Sequence, residues 1–326
     1  MKLEEFARES RATHKGDKSG VPIVGLEHLI PQEIKFSGYD VDTENTFTKT
    51  FKKGQILFGR RRAYLKKAAI ADFDGICSGD ITVIEAIPGK VDPLLLPFII
   101  QNDKFFDYAV SRSAGGLSPR VKWEHLKDYE FDLPPIEEQR ILADKLWAAY
   151  RLKESYKKLL TATQEMVKSQ FIEMFKGDNQ VPLGDICNIE KGATITRNDV
   201  LPGEVPVVAG GQEPSCYHNV ANREAGAITV SASGAYAGYI NFWNCPIFAS
   251  DCNTIISKDD EKTDQTFVYF GLRAMQKQIY GLQKGGAQPH VYGKDLQKFM
   301  FPCPSYAKQI EFSKMAKQAD KSEYYN

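Results

Sequence analysis

From Pro134 to Phe175 the chain has no glycine, no proline beyond the opening Pro134-Pro135 pair, and a high content of good helix formers. Proline at the very start is where a helix tolerates it, so the stretch predicts one long helix. Along it Leu142, Leu146, Ala149, Tyr156, Leu160, Thr163, Val167 and Met174 recur at steps of three, four and seven, the seam of a helix packed lengthwise on another. At 1.5 Å per residue, roughly 40 residues reach on the order of 60 Å. That is longer than the helices of an ordinary globular domain. Such a rod is either the core helix of one large α/β domain or a spacer between separate bodies. The flanking sequence favours the spacer, because it repeats.

Gly54-Gln55-Ile56-Leu57-Phe58 with Ala63-Tyr64 lies over Gly226-Ala227-Ile228-Thr229-Val230 with Ala235-Tyr236 at one offset. Both read as a strand leaving a glycine, and both continue into a second β-rich run, Ala68 to Ala71 and Gly238 to Phe242. Ile76 to Ile84 then mirrors Ile247 to Ile256. A helix follows in each half, Pro93 to Ser111 and Thr266 to Tyr280, ending near Gly115-Gly116 or Gly285-Gly286. Beyond the glycines the register is fixed: Pro119, Val121, Leu126, Phe131, Pro134 and Gln139 stand opposite Pro289, Val291, Leu296, Phe301, Pro304 and Gln309 at a constant spacing. Phe312, Ala316 and Ala319 take the places of Leu142, Leu146 and Ala149. Chance explains such a run poorly. The expected architecture is α+β: two pseudo-repeated β-rich domains, residues 1–133 and 178–303, separated by long antiparallel coiled-coil helices, residues 134–177 and 304–326.

A chain of 326 residues has room for two such cores. Lys plus Arg and Asp plus Glu number 42 each, so any basic surface must be local and balanced elsewhere. The six cysteines, Cys77, Cys187, Cys216, Cys245, Cys252 and Cys303, form no C-x-x-C pair, which speaks against a zinc site. With no signal peptide or apolar run of membrane-spanning length, neither a disulfide framework nor a membrane partner is expected, and the chain reads as cytoplasmic.

Catalytic signatures are missing as well. There is no G-x-x-x-x-G-K-[ST] phosphate loop, no G-x-G-x-x-G after a strand, no H-E-x-x-H and no G-x-S-x-G. Asp132-Leu133-Pro134-Pro135-Ile136 departs from the (Asn/Asp)-Pro-Pro-aromatic signature of DNA amino-methyltransferases, having isoleucine where a stacking ring is required. The histidines His14, His28, His125, His218 and His290 show no ligand spacing, so no metal and no catalytic residue is expected.

What remains is a binding surface. Lys52, Lys53, Arg60, Arg61, Arg62, Tyr64, Lys66 and Lys67 fall in one predicted hairpin, and three adjacent arginines repel one another unless an anion relieves them. Such a tip either contacts phosphates and guanine edges or is a solvated hairpin end. The loops around the double glycines carry Arg112, Ser113, Ser118, Arg120 and Lys122 in the first half, and Lys284, Gln288, His290 and Tyr292 in the second. They either read bases or only cap the preceding helix. Opposite the arginines the second half has Ala232-Ser233-Gly234, with Tyr236, Tyr239 and Trp243 close by. The framework repeats while the tips differ, as two readers of different sequences would.

At this point the chain resembles a known family, the DNA-specificity subunit of Type I restriction-modification systems, commonly called HsdS. The resemblance is carried by Gly54 to Val83, by the S-x-G-G-L-x-P run from Ser113 to Pro119, and above all by Leu126 to Gln139 leading into the helix. Leu296 to Gln309 looks like a degenerate second copy, with Cys303-Pro304-Ser305-Tyr306 for Leu133-Pro134-Pro135-Ile136 and Lys308 for Glu138. The resemblance implies two target-recognition domains, each reading one part of a bipartite double-stranded DNA target, and helices that fix the gap. It also implies docking of two modification (methyltransferase) subunits and of restriction/translocase subunits. S-adenosylmethionine, ATP and Mg²⁺ would be used by those partners, with no cofactor on this chain.

The candidates for DNA contact are the residues named above in the basic hairpin, Lys52, Lys53, Arg60, Arg61, Arg62, Tyr64, Lys66 and Lys67, those in the two glycine loops, and Ser233, Tyr236 and Tyr239. The helical seam is the candidate for subunit contact. One departure stands out: the second helix is short, which would leave the seam from about Leu159 to Phe175 without an internal partner. The alternatives are a two-headed interaction protein that binds protein or carbohydrate, and a stand-alone DNA-binding defence component.

Overall fold

A computed structural model describes residues 1–319; the end of the expected second helix, residues 320–326, lies outside the described residues. The chain divides into two compact units, Met1–Glu154 and Ser155–Asn326, and the boundary falls inside the long helix.

In the first unit a one-turn helix α1 (Leu3–Phe6) leads into β1 (Ala7–Ser10), followed by β2 (Ile23–Val24), β3 (Lys49–Phe51), β4 (Ile56–Gly59), β5 (Ala68–Ile70), β6 (Gly75–Cys77) and β7 (Ile81–Ala86). The strands form an antiparallel sheet in the order β1-β7-β4-β5 and a smaller one in the order β2-β6-β3. Ile56, Leu57, Phe58 and Gly59 are all buried. That continuous apolar run marks a strand covered on both faces. One face carries Phe58 against Phe105 and Phe106; the other carries Leu57, Val83 and Cys77. Helices α2 (Leu96–Ile100) and α3 (Asp103–Ser111) replace the single helix expected over Pro93 to Ser111. The break has a local cause: the Asn102 side chain accepts the Lys104 N–H and caps a new helix. After α4 (Trp123–Leu126) comes the long helix α5, unbroken from Ile136 to Met174.

The second unit repeats the plan. It contains β8 (Gln180–Pro182), α6 (Leu183–Ile186), β9 (Cys187–Lys191), β10 (Val205–Val208), β11 (Cys216–His218), β12 (Ala227–Ser231), β13 (Ile240–Trp243), β14 (Phe248–Ala249) and β15 (Cys252–Ser257). Its main sheet runs β13-β12-β15-β9, the mirror of β5-β4-β7-β1. Helices α7 (Gln265–Ala274) and α8 (Gln276–Tyr280) again split one expected helix, and α9 (Gly293–Gln297), β16 (Met300–Pro302) and α10 (Tyr306–Ala319) complete the unit.

The glutamines shared by the two repeats prove to be latches. Gln139 is buried; its Oε1 accepts the Asp92 N–H at 3.0 Å and its Nε2 donates to the Pro134 carbonyl at 2.8 Å. Gln309, equally buried, accepts the Asp264 N–H at 2.9 Å and donates to the carbonyls of Pro304 and Lys262. Each amide ties the start of a helix to the loop that precedes the helical pair of its own unit. Leaving such buried backbone groups unpaired is costly.

The expectation that Leu159 to Phe175 lacks an internal partner is corrected for its second half. Val167, Phe171 and Phe175 are buried, and the Phe171 ring meets Phe312 edge-on at 5.4 Å and Phe267 at a tilt at 5.7 Å. The short α10 suffices because α7 and β16 supply the rest of the cover, through Phe267 and Phe301. Contacts from Cys303 to Asn179, Lys308 to Asp178, and Phe312 to Phe175 and then Phe171 run in opposite directions along the two segments, so α10 is antiparallel to the end of α5. Of the seam residues, Val167 is buried, Leu146, Thr163 and Met174 are half-buried, and Leu142, Ala149, Tyr156 and Leu160 are exposed. Phe312 and Ala316 are buried in the second unit's core, and Ala319 packs against it.

Candidate nucleic-acid interface

At one end of the first unit's main sheet, two loops far apart in sequence join. The Arg60 N–H donates to the Asp80 carbonyl at 3.0 Å, the Arg62 N–H to that of Pro119 at 2.8 Å, and the Val121 N–H to that of Arg60 at 3.0 Å. Arg61 and Arg120 face each other across a bridge, and Ala114 and Arg120 exchange both of their backbone hydrogen bonds. The arginine tip and the glycine loop are therefore one surface. Arg62 sits in the left-handed region (φ 54°), rare for a residue with a Cβ, and opens a single 3-10 turn over Ala63–Leu65 in place of a plain hairpin tip.

Asp80 lies at the centre of this surface. Arg120 donates to its carboxylate through Nε at 2.7 Å and Nη2 at 3.2 Å, and Arg61 approaches at 3.5 Å. Arg61 and Arg62 also reach the Ser118 hydroxyl, at 3.0 and 3.4 Å. The Arg120 bond, and then the charges of Arg120, Arg61 and Arg60, hold the Asp80 carboxyl below the usual carboxylate range, against a desolvation that raises it. The stability from this pairing is present above the unfolded carboxylate pKa and is lost as pH falls through the lower folded value. Removing the main donor, as Arg120→Ala, should move the Asp80 midpoint up toward the ordinary range; a side-chain carboxyl NMR titration checks this.

The second unit has the same frame with other side chains. The Ala232 N–H donates to the Asp251 carbonyl at 3.1 Å, the Gly234 N–H to that of Pro289 at 3.1 Å and the Val291 N–H to that of Ala232 at 2.9 Å, while Lys284 and His290 exchange backbone bonds. Ser233 bridges to His290, and its hydroxyl bonds the Asp251 carboxylate where arginines bond Asp80. Lys284 is held by Asp295 at 2.7 Å, the His290 ring stacks on Tyr292 at 6.0 Å, and Arg273 lies over the Tyr239 ring. Gln288 and Tyr236 are exposed. Glycine is required in both loops, with φ 115° at Gly115 and 95° at Gly285. At Gly285 a Cβ would also lie 2.8 Å from the Gln288 carbonyl.

Several expected members of the basic cluster stand apart from this surface. Lys52 and Lys53 precede β4 and the arginines follow it, so a strand of roughly 3.3 Å per residue separates them. Lys52 pairs with Asp74 at 2.9 Å. Lys66 is tied to Asp103, and Lys67 donates to the Leu26 carbonyl at 2.8 Å. Tyr64 is exposed, as are Arg112 and Lys122, while the Ser113 hydroxyl donates to the Ala109 carbonyl within its own helix end. Asp80 pairs with Arg61 and Arg120, so one carboxylate relieves part of the repulsion among the arginines from within and leaves the tip basic.

Sequence reasoning missed Asp80 and Asp251, although both fall inside the matched runs Ile76 to Ile84 and Ile247 to Ile256. An acid kept in register beside tips that otherwise differ was the available signal. Sequence spacing also hid the approach of Glu27, His28 and Asp40, whose ligand atoms come within 4.8 Å of one another. There His28 Nδ1 already accepts the Gly25 N–H, and Nε2 lies 3.6 Å from Asp40. Cys77, Cys187 and Cys252 are buried, and burial pushes each thiol up to about 12, which leaves them poor nucleophiles. No helix among the described residues is long and apolar enough to cross a membrane.

Two β-rich units of one plan, a long shared helix and paired loops hydrogen-bonded alike but furnished with different side chains define a doubled recognition scaffold. Residues 8–162 and 177–323 each match the Type I restriction modification DNA specificity domain, and the chain belongs to that family. It is 27% identical over 173 residues to the EcoDI specificity subunit of Escherichia coli, an alignment covering 49% of this chain and 38% of that protein. It is 23% identical over 98% of its length to the putative MjaX specificity subunit of Methanocaldococcus jannaschii, covering 84% of that protein. The solved Type I S subunit from M. genitalium shares the fold at a TM-score of 0.64 and 15% identity, over 99% of this chain and 89% of that one.

Proposed function

We propose that this chain is the non-catalytic, DNA-reading subunit of a Type I restriction-modification complex. Each unit contacts one half of a bipartite duplex target through its joined loops. The long helix sets the gap and, through its exposed apolar residues, docks two methyltransferase subunits. Restriction subunits complete the assembly, and S-adenosylmethionine, ATP and Mg²⁺ act on the partners. The observation that carries the reading is the pair of loop frames, hydrogen-bonded alike but furnished with Arg60, Arg61, Arg62 and Arg120 in one unit and Ala232, Ser233, Gly234 and His290 in the other. A fold that keeps its frame and changes its contact side chains suits reading two different sequences.

Selection from a randomised duplex pool by the full chain should enrich two short sequences at a fixed gap. Affinity should fall steeply with salt, since phosphate contacts release counterions. No retardation of mixed duplex DNA at low salt would refute the reading and favour a protein or carbohydrate ligand.

A further inference from the structure

Leu117 is 96% exposed, the most exposed large apolar side chain among the described residues. It stands beyond Gly115 and Gly116 at the apex of the joined loops, yet its backbone is held: Arg62 donates to the Leu117 carbonyl at 3.5 Å, and Arg61 and Arg62 bond Ser118 beside it. An apolar side chain fixed in water forgoes its burial unless something covers it. The surroundings indicate what does. The segments 60–62 and 112–122 carry Arg60, Arg61, Arg62, Arg112, Arg120 and Lys122 and no acid, and Asp80 is the carboxylate bonded to them. A partner for this tip must offer an anionic rim around a small apolar spot. Duplex DNA does so where a thymine methyl lies on the floor of the major groove between phosphate rows.

We infer that Leu117 is a specificity-determining residue of the first unit, making apolar contact with the C5-methyl of a thymine while the surrounding arginines position the loop on phosphates. The inference rests on the DNA-reading function proposed above. In the second unit the register position is Ala287, a shorter apolar group, followed by exposed Gln288.

The test uses the full chain and the duplex it enriches from a random pool. Each thymine of the selected site is replaced in turn by deoxyuridine, which removes only the methyl group. One replacement, in one half of the site, should weaken the unsubstituted protein by on the order of 3- to 10-fold. Leu117→Ala should bind both duplexes alike, showing no further loss from that replacement. If every deoxyuridine is tolerated, or if Leu117→Ala remains as sensitive as the original, the methyl contact is wrong. Uniform weakening of Leu117→Ala on all sequences, relieved by a mismatch that opens the base step, would make the residue a wedge and also overturn the inference. Failure of the original protein to enrich any sequence would instead strike the function itself.

Discussion

Phe171→Ala should destabilise the second unit by about 3–5 kcal/mol, the cost of emptying a large buried aromatic site. Phe171 is 3% exposed, and its ring meets Phe175 at 5.1 Å, Phe312 at 5.4 Å, Phe267 at 5.7 Å and Phe301 at 6.1 Å. It also lies directly on α7: a Cβ at Gly271 would come within 2.8 Å of the ring. Neighbours so tightly set cannot collapse to fill the space. Ile172, the next residue, is 53% exposed, so Ile172→Ala should change stability by no more than about 0.5 kcal/mol. Urea unfolding followed by hydrogen exchange separates these cases. Protection should fall in β12 and β15 and persist in β4 and β7; an equal loss in both units would show that they unfold together.

The second large effect lies at the first unit's tip. Arg61→Ala combined with Arg120→Ala should weaken DNA binding by at least roughly 30-fold and by up to about 25,000-fold, at about 1–3 kcal/mol for each arginine, and flatten the salt dependence by about one phosphate per residue. Both guanidiniums also neutralise Asp80, so their removal strands a carboxylate with little solvent around it, 19% exposed in its side chain. Adding Asp80→Asn should restore thermal stability without restoring affinity. Recovery of both together would mean that the arginines serve only the fold, and the assignment of this surface to DNA would fail.

The long helix and the doubling were legible in the sequence because each leaves a periodic record. A stretch without breakers shows a helix, and a constant spacing between Pro119 and Pro289 or Gln139 and Gln309 shows a repeat. The joining of the two loops left no such record. Arg61 is brought opposite Arg120 by main-chain hydrogen bonds of their neighbours, Arg62 to Pro119 and Val121 to Arg60, which depend little on side-chain identity and so leave no sign of the pairing. The first split helix has a local cause instead, the Asn102 side chain that caps a new start at Asp103. The basic cluster was misjudged for a different reason. Proximity in sequence counted Lys52 and Arg60 together, but an extended strand carries its two ends apart. The cover over Phe171 and Phe175 was overlooked because it comes from α7 and β16 as much as from the helix assumed to be their partner.

Gln139 and Gln309 have a consequence for exchange between halves. Each amide grips main-chain atoms of its own β-rich body and of the proline segment before its helix, so this part of the joint is made alike in both units. A hybrid in which the two bodies trade places at Pro134 and Pro304 would keep both amide grips, while the helix side chains under each body, Ala143 and Leu146 in one unit and Phe312 and Ala316 in the other, would have to move with it.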